Sequence, residues 1–133
     1  MLYFVLVHNL MKETNMKAAL YDRYGSTDVL QVREREVPTF RSHELLVRVH
    51  AAAVNPKDIL MRKGKFPWLA GRTFPKSPGF DIAGVVTQAG SRCKRLQVGD
   101  EIFGMLNRWS AGGCAEYVAI PESEVAPKPP SLS

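Results

Sequence analysis

Cysteine is scarce: Cys93 and Cys114 are the only two in 133 residues, too few for a disulfide framework or a four-cysteine zinc site. Both are expected to be reduced thiols in a cytoplasmic protein. Long apolar runs are missing too. The most apolar stretch, Met1–Leu10, spans ten residues, against the roughly 20 that a membrane-crossing helix needs. No cation leads it, Lys12 following instead, which argues against a signal peptide. Met16-Lys17-Ala18-Ala19 reads as a second start, so residues 1–15 are expected to be an N-terminal extension or a start-site artefact. There is no internal repeat, no low-complexity tract, no Gly-x-Gly-x-x-Gly and no strand–helix–strand pattern. A dinucleotide pyrophosphate therefore finds no glycine-rich helix start to sit on. The three histidines, His8, His43 and His50, show no ligand spacing and receive no role.

What is present is a series of short apolar runs broken by glycines. Met16–Tyr21, Leu30–Val37, Glu44–Val54, Asp81–Thr87, Glu101–Phe103 and Ala115–Ile120 read as strands, with turns at residues 24–28, 89–91 and 98–100. In the third run, Leu45, Val47, Val49, Ala51 and Ala53 fall on one face by period-two counting, with Leu46, Arg48 and His50 on the other. Asn55-Pro56-Lys57-Asp58 has the chemistry of a helix start: Asn at the N-cap, Pro at the first position, a carboxylate in reach of the free amides. Gly64 ends that helix. Residues 65–77 hold two prolines and no periodicity, and are expected to be a loop with aromatic anchors. Short strands at regular spacing with glycine corners specify a mainly β unit, a closed or partly closed barrel with a few short helices.

The chain carries a net charge of +5 and a pI near 9.4. Much of the excess lies in residues 57–76, where Lys57, Arg62, Lys63, Lys65, Arg72 and Lys76 face only Asp58. Such a run is expected to be a solvated face.

Four blocks occur in a fixed order: Val54-Asn55-Pro56-Lys57-Asp58, Gly79-Phe80-Asp81-Ile82-Ala83-Gly84, Val98-Gly99-Asp100-Glu101-Ile102-Phe103-Gly104 and Gly113-Cys114-Ala115-Glu116-Tyr117. Together they resemble the N-terminal GroES-like domain of the medium-chain dehydrogenase/reductase superfamily, in its zinc-independent quinone oxidoreductase (zeta-crystallin-like) branch. The resemblance runs from Met16 to Ser133. It implies a GroES-like, partly open β-barrel over residues 16–127, with 128–133 as an exit linker toward a C-terminal Rossmann domain that is absent from these residues.

It also implies site residues. Zinc-dependent members place a cysteine where Asn55 stands and a histidine where Phe80 stands. An amide and a phenyl ring supply neither thiolate nor imidazole, and Cys93 and Cys114 match neither position, so no zinc is expected. By the same resemblance Asn55 is a catalytic residue and touches the nicotinamide end of the cofactor. Leu60, Phe80 and Asn107 line the substrate pocket, with Trp109 at its rim. Asn55 also reads simply as a helix cap, Phe80 as a core residue, and Asp81 as a partner for local backbone or an arginine. Leu60 stands where close relatives often carry a tyrosine, which points to an apolar pocket.

The function implied is the substrate-side domain of a zinc-free, NADPH-dependent oxidoreductase that reduces quinones, enones or related carbonyls. These 133 residues alone are expected to bind NADPH weakly and to be inactive. Two other readings stay open. One is a non-catalytic GroES-like interaction module, with a homodimer as one form of it. The other is single-stranded nucleic-acid binding through the basic, aromatic 57–76 segment, which the same cations at the mouth of a cleft explain equally well. No membrane partner is expected.

Overall fold

The computed structural model describes residues 14–106 and 111–133. Strand β1 (Asn15–Leu20) pairs antiparallel with β2 (Gln31–Glu36) as a separate two-stranded sheet. Strands β3 (Glu44–Ala53), β4 (Asp81–Ala89), β5 (Glu101–Met105), β6 (Tyr117–Pro121) and β7 (Val125–Pro127) form a five-stranded antiparallel sheet in the order β6-β3-β4-β5-β7. Bridges from Ala18 to Ala115 and from Tyr21 to Lys76 tie the small sheet to the rest. Helices are short: α1 (Pro56–Arg62) and α2 (Pro67–Ala70), with 3-10 turns at Thr27–Val29 and Glu122–Glu124. Among the described residues β6 and β7 remain opposite edges, so the fold is mainly β with an open barrel and not a closed one.

The core follows from the alternation of β4. Ile82, Gly84 and Val86 are buried while Asp81, Ala83, Val85 and Thr87 are half-buried. Ile82 and Val86 meet Leu45, Val47, Leu96, Ile102, Leu106, Val118, Ile120 and Val125 in one apolar cluster. Each such side chain contributes about 1.5–3 kcal/mol on leaving water. Gly84 is needed for this packing, because a Cβ there would lie 2.1 Å from the Arg48 carbonyl oxygen of the neighbouring strand.

Strand β3 departs from its simple alternation. Residues 44–47 are buried on both faces, whereas 50–53 are exposed. The register explains the change: β6 covers β3 only as far as Arg48, and the pairing with β4 is irregular between Val49 and Ala51. The far half of β3 thus runs out to an uncovered sheet end, and it delivers the chain to Asn55.

Two elements escape the sequence pattern. Within the expected loop, Pro67–Ala70 makes a helical turn. Val125–Pro127, just before the expected linker, is a strand that pairs with Ile102–Gly104 and buries Val125. Lys128 continues this attachment, donating its amide to the Glu101 carbonyl at 2.8 Å and its ammonium to the Glu101 carboxylate at 3.0 Å. At the other end, Val37 donates to the Thr14 carbonyl at 2.9 Å, so ordered pairing already includes Thr14 and Asn15.

Candidate functional site

The site is assembled where the end of β3 lies beside the start of β4. Asn55 follows the exposed Val54 and takes the extended N-cap conformation of α1, φ −108° and ψ 160°. Asp58, at the third helical position, turns its carboxylate back so that Oδ2 accepts the Asn55 backbone N–H at 2.9 Å. Its other oxygen, Oδ1, accepts the Gly79 N–H at 2.7 Å, and the side chain is buried (4% exposed). One carboxylate therefore bolts the start of α1 to the segment that opens β4.

That segment is tight by construction. Gly79 has φ +97°, and a Cβ on it would lie 2.7 Å from the Cys114 backbone nitrogen and 2.8 Å from its sulfur. Cys114 donates its own N–H to Pro78 at 2.9 Å, and Gly113 donates to Gly79 at 2.8 Å. Burial pushes the Cys114 thiol pKa above its ordinary value, and the negative Asp58 adds to the shift.

With both backbones fixed, the pairing of Ala53 with Asp81 brings two distant side chains together. Asn55 Nδ2 donates to Asp81 Oδ2 at 2.7 Å. The cap residue thus spends its amide on a strand residue rather than pointing it into solvent. The sequence suggested an arginine or the local backbone as the partner of Asp81; among the described residues its carboxylate instead accepts from Asn55. The register also sets the exposed Met105 opposite Asp81.

Phe80 is 1% exposed and packs with Met61 and Ala111, with Ala70 against them. The Lys57 ammonium sits 4.0 Å from the centre of its ring. The described residues give Phe80 a core position beneath the site. Leu60 lies on α1 and is 40% exposed, an apolar side chain open to whatever approaches. Asn107 and Trp109 lie outside the described residues. A cavity of about 910 Å³ elsewhere, lined by Arg35, Phe40, His43 and Lys76 among others, includes none of Asn55, Leu60 or Phe80.

The basic segment is less open than its composition implies. Arg62 is buried and donates to the Gly25 carbonyl at 2.6 Å. Lys76 is buried, donates to the Ala70 carbonyl at 2.5 Å, and has its pKa lowered by that burial. Lys57 is turned over Phe80. Of the six cations, only Lys63, Lys65 and Arg72 are exposed, in the same segment as Trp68 at 73%. Half of the expected solvated face is structural: Phe74 packs edge-on against Tyr21 and Tyr24, and the Tyr24 hydroxyl donates to Gly71 at 2.8 Å, pinning the same loop.

A mainly β domain with this open-barrel strand order fits the GroES-like class of fold. Residues 41–130 match the alcohol dehydrogenase GroES-like domain family, and the chain belongs to it. It is 40% identical over 127 residues to the 2-methylene-furan-3-one reductase of Solanum lycopersicum, covering 90% of this chain and 32% of that protein. It is 38% identical over 124 residues to the chloroplastic NADPH-dependent alkenal/one oxidoreductase of Arabidopsis thaliana, covering 88% of this chain and 32% of that one. Among solved structures, the quinone oxidoreductase of Coxiella burnetii superposes with a TM-score of 0.85 at 30% identity, over 90% of this chain and 38% of that one. The chain thus spans about a third of the length of the curated relatives it matches. Its relatives are quinone and alkenal oxidoreductases of the medium-chain superfamily.

Proposed function

We propose that this domain is the substrate side of a zinc-free, NADPH-dependent oxidoreductase that reduces an electron-poor carbonyl compound, a quinone or an enone. The observation that carries the reading is the chemistry at two positions. A carboxamide, Asn55, held by Asp81 at 2.7 Å, and a buried phenyl ring, Phe80, stand at the positions where, by the resemblance, zinc-dependent members carry a cysteine and a histidine, and neither side chain is a zinc ligand. The activities for which the tomato and Arabidopsis relatives are named support the substrate class.

The described residues around Asn55 suit the nicotinamide end of the cofactor. Asn55 offers an amide to a carboxamide or a carbonyl oxygen, and the exposed Val54 and Leu60 offer apolar surface to a ring. No Gly-x-Gly-x-x-Gly is present to cradle a pyrophosphate. The cofactor, when bound, supplies a hydride. The chain's own part is to orient: Asn55 hydrogen-bonds a polar group of the ligand, Asp81 and Asp58 keep it in place, and Leu60 helps exclude water from the reacting carbon.

On this reading the 133 residues lack the cofactor's main binding surface and do not turn over alone. Calorimetric titration with NADPH tests this. The isolated chain is expected to show no binding up to millimolar cofactor, whereas a longer polypeptide that adds a dinucleotide-binding domain binds in the micromolar range. Micromolar binding by the isolated chain would overturn the proposal.

A further inference from the structure

Asn55 and Asp81 are 26 residues apart, yet their side chains meet at 2.7 Å. Two independent constraints hold them there. The β3–β4 register sets Ala53 opposite Asp81. The buried Asp58 carboxylate ties the Asn55 and Gly79 backbone amides together at 2.9 and 2.7 Å. Neither backbone can move away from the other without breaking one of these.

The chemistry of the pair is asymmetric. A carboxylate only accepts hydrogen bonds, while a carboxamide has a donor end and an acceptor end. Asp81 as the carboxylate therefore admits one orientation of Asn55: nitrogen toward Asp81, oxygen on the other edge. Were residue 81 an amide, either orientation would make a hydrogen bond to it, and only the capping contact with the Asp58 backbone would still favour one of them.

We infer that Asp81 is a positioning residue whose charge fixes the hydrogen-bonding polarity that Asn55 offers to a carboxamide- or carbonyl-bearing ligand. The inference rests on the role given to Asn55 above. Asp81 itself touches no ligand; it acts through Asn55. A fixed polarity matters because a flipped amide would oppose donor to donor at the ligand, losing a hydrogen bond and leaving a polar group unpaired.

Two measurements test it and separate its failure from that of the underlying reading. In the first, the side-chain amide protons of Asn55 are observed by NMR in the 133-residue chain. One of the two is expected to be shifted and protected from exchange, and Asp81→Asn to remove the protection while the backbone spectrum stays folded. Identical Asn55 signals in both proteins would overturn the inference. Should Asp81→Asn fail to fold, Asp81→Ser is read in the same way. In the second, kcat/KM for NADPH-dependent enone reduction is compared across variants of the longer polypeptide proposed above. Asn55→Ala is expected to lose about tenfold and Asp81→Asn about threefold or more. The double variant should be no worse than Asn55→Ala, because Asp81 has nothing left to position. An additive double loss overturns the inference and leaves the Asn55 role standing. No loss in Asn55→Ala overturns that role, and with it the functional meaning of the pair.

Discussion

Asp58 and Gly79 are joined across 21 residues by a 2.7 Å hydrogen bond from a backbone amide to a buried carboxylate. The same carboxylate receives the Asn55 amide at 2.9 Å. A single side chain at the third position of a short helix thereby fixes the geometry between the two loops that carry the site. Without it, the backbones at the cap of α1 and just ahead of β4 would lose the carboxylate they share, leaving the strand pairing and the Asn55–Asp81 hydrogen bond to join them.

Replacing Asp58 with Ala leaves two backbone donors without their acceptor, one of them well inside the domain. The expected loss is about 3 kcal/mol of stability, read as a lowered denaturant midpoint, with Asp58→Asn losing less. A midpoint unchanged within error would show that water replaces the carboxylate at no cost.

Gly79→Ala combines a left-handed backbone conformation with a Cβ 2.7 Å from the Cys114 nitrogen. It is expected to destabilise the fold by on the order of 3 kcal/mol. Gly99→Ala serves as the control: it shares φ +97°, but nothing lies within 4 Å of its added Cβ. The difference between the two midpoints isolates the contact at Cys114, and equal losses would show that backbone strain alone is responsible.

Stability should fall in alkali. Burial pushes the Tyr21 phenol up to about 12 from its ordinary 10.0, with smaller contributions from Tyr24 and Asp58. The unfolded chain therefore releases this proton first, and stability falls as pH rises from about 10 toward 12. Lys76 acts with the opposite sign. Burial lowers its pKa below 10.5, so the unfolded chain holds the proton longer and stability rises as pH approaches 10.5. Thermal melts across pH 8–12 are expected to show a loss that begins above about pH 9, where the unfolded chain releases the Cys93 and Cys114 protons that burial retains in the fold, and that continues from 10 toward 12, with Tyr21→Phe flattening the later part. A falling limb of the same steepness in Tyr21→Phe would assign the loss to another group.

Cys114 should be a slow nucleophile at neutral pH. Burial and then Asp58 raise its pKa, and the thiolate is the reactive form. Alkylation by iodoacetamide, followed by mass spectrometry, is expected to stay slow at pH 7 and to accelerate above pH 9. Rapid labelling at pH 7 would place the sulfur in a more open setting than its contact with Gly79 implies.

Much of the fold was legible in the residues because the information was local. Asp81–Thr87 was readable as a strand from its short apolar run and flanking turn, and Asn55-Pro56-Lys57-Asp58 as the start of α1. Elements stabilised only by a distant partner were not legible. Val125–Pro127 is three residues long and is a strand because Ile102–Gly104 lies beside it. Pro67–Ala70 is too short to show a period. The alternation in β3 indicated one buried face, but not that β6 stops covering it at Arg48.

The site followed the same division. Asn55 and Leu60 were visible as residues of interest, and both are partly exposed, beside or within α1. Phe80 proved fully buried. The pairing of Asn55 with Asp81 depends on the register of two strands, which no local motif encodes. The inward turn of Arg62 and Lys76 was equally hidden, since a run of cations gives no sign of which members find carbonyl partners.

The most direct test of the account is the rate of NADPH-dependent enone or quinone reduction in the longer polypeptide, with Asn55 intact and as Asn55→Ala. The account predicts substrate-dependent NADPH oxidation that falls about tenfold in kcat/KM with the alanine, while the melting temperature stays close to that of the parent. Undiminished reduction by Asn55→Ala, or none by the parent with either class of substrate, would contradict it.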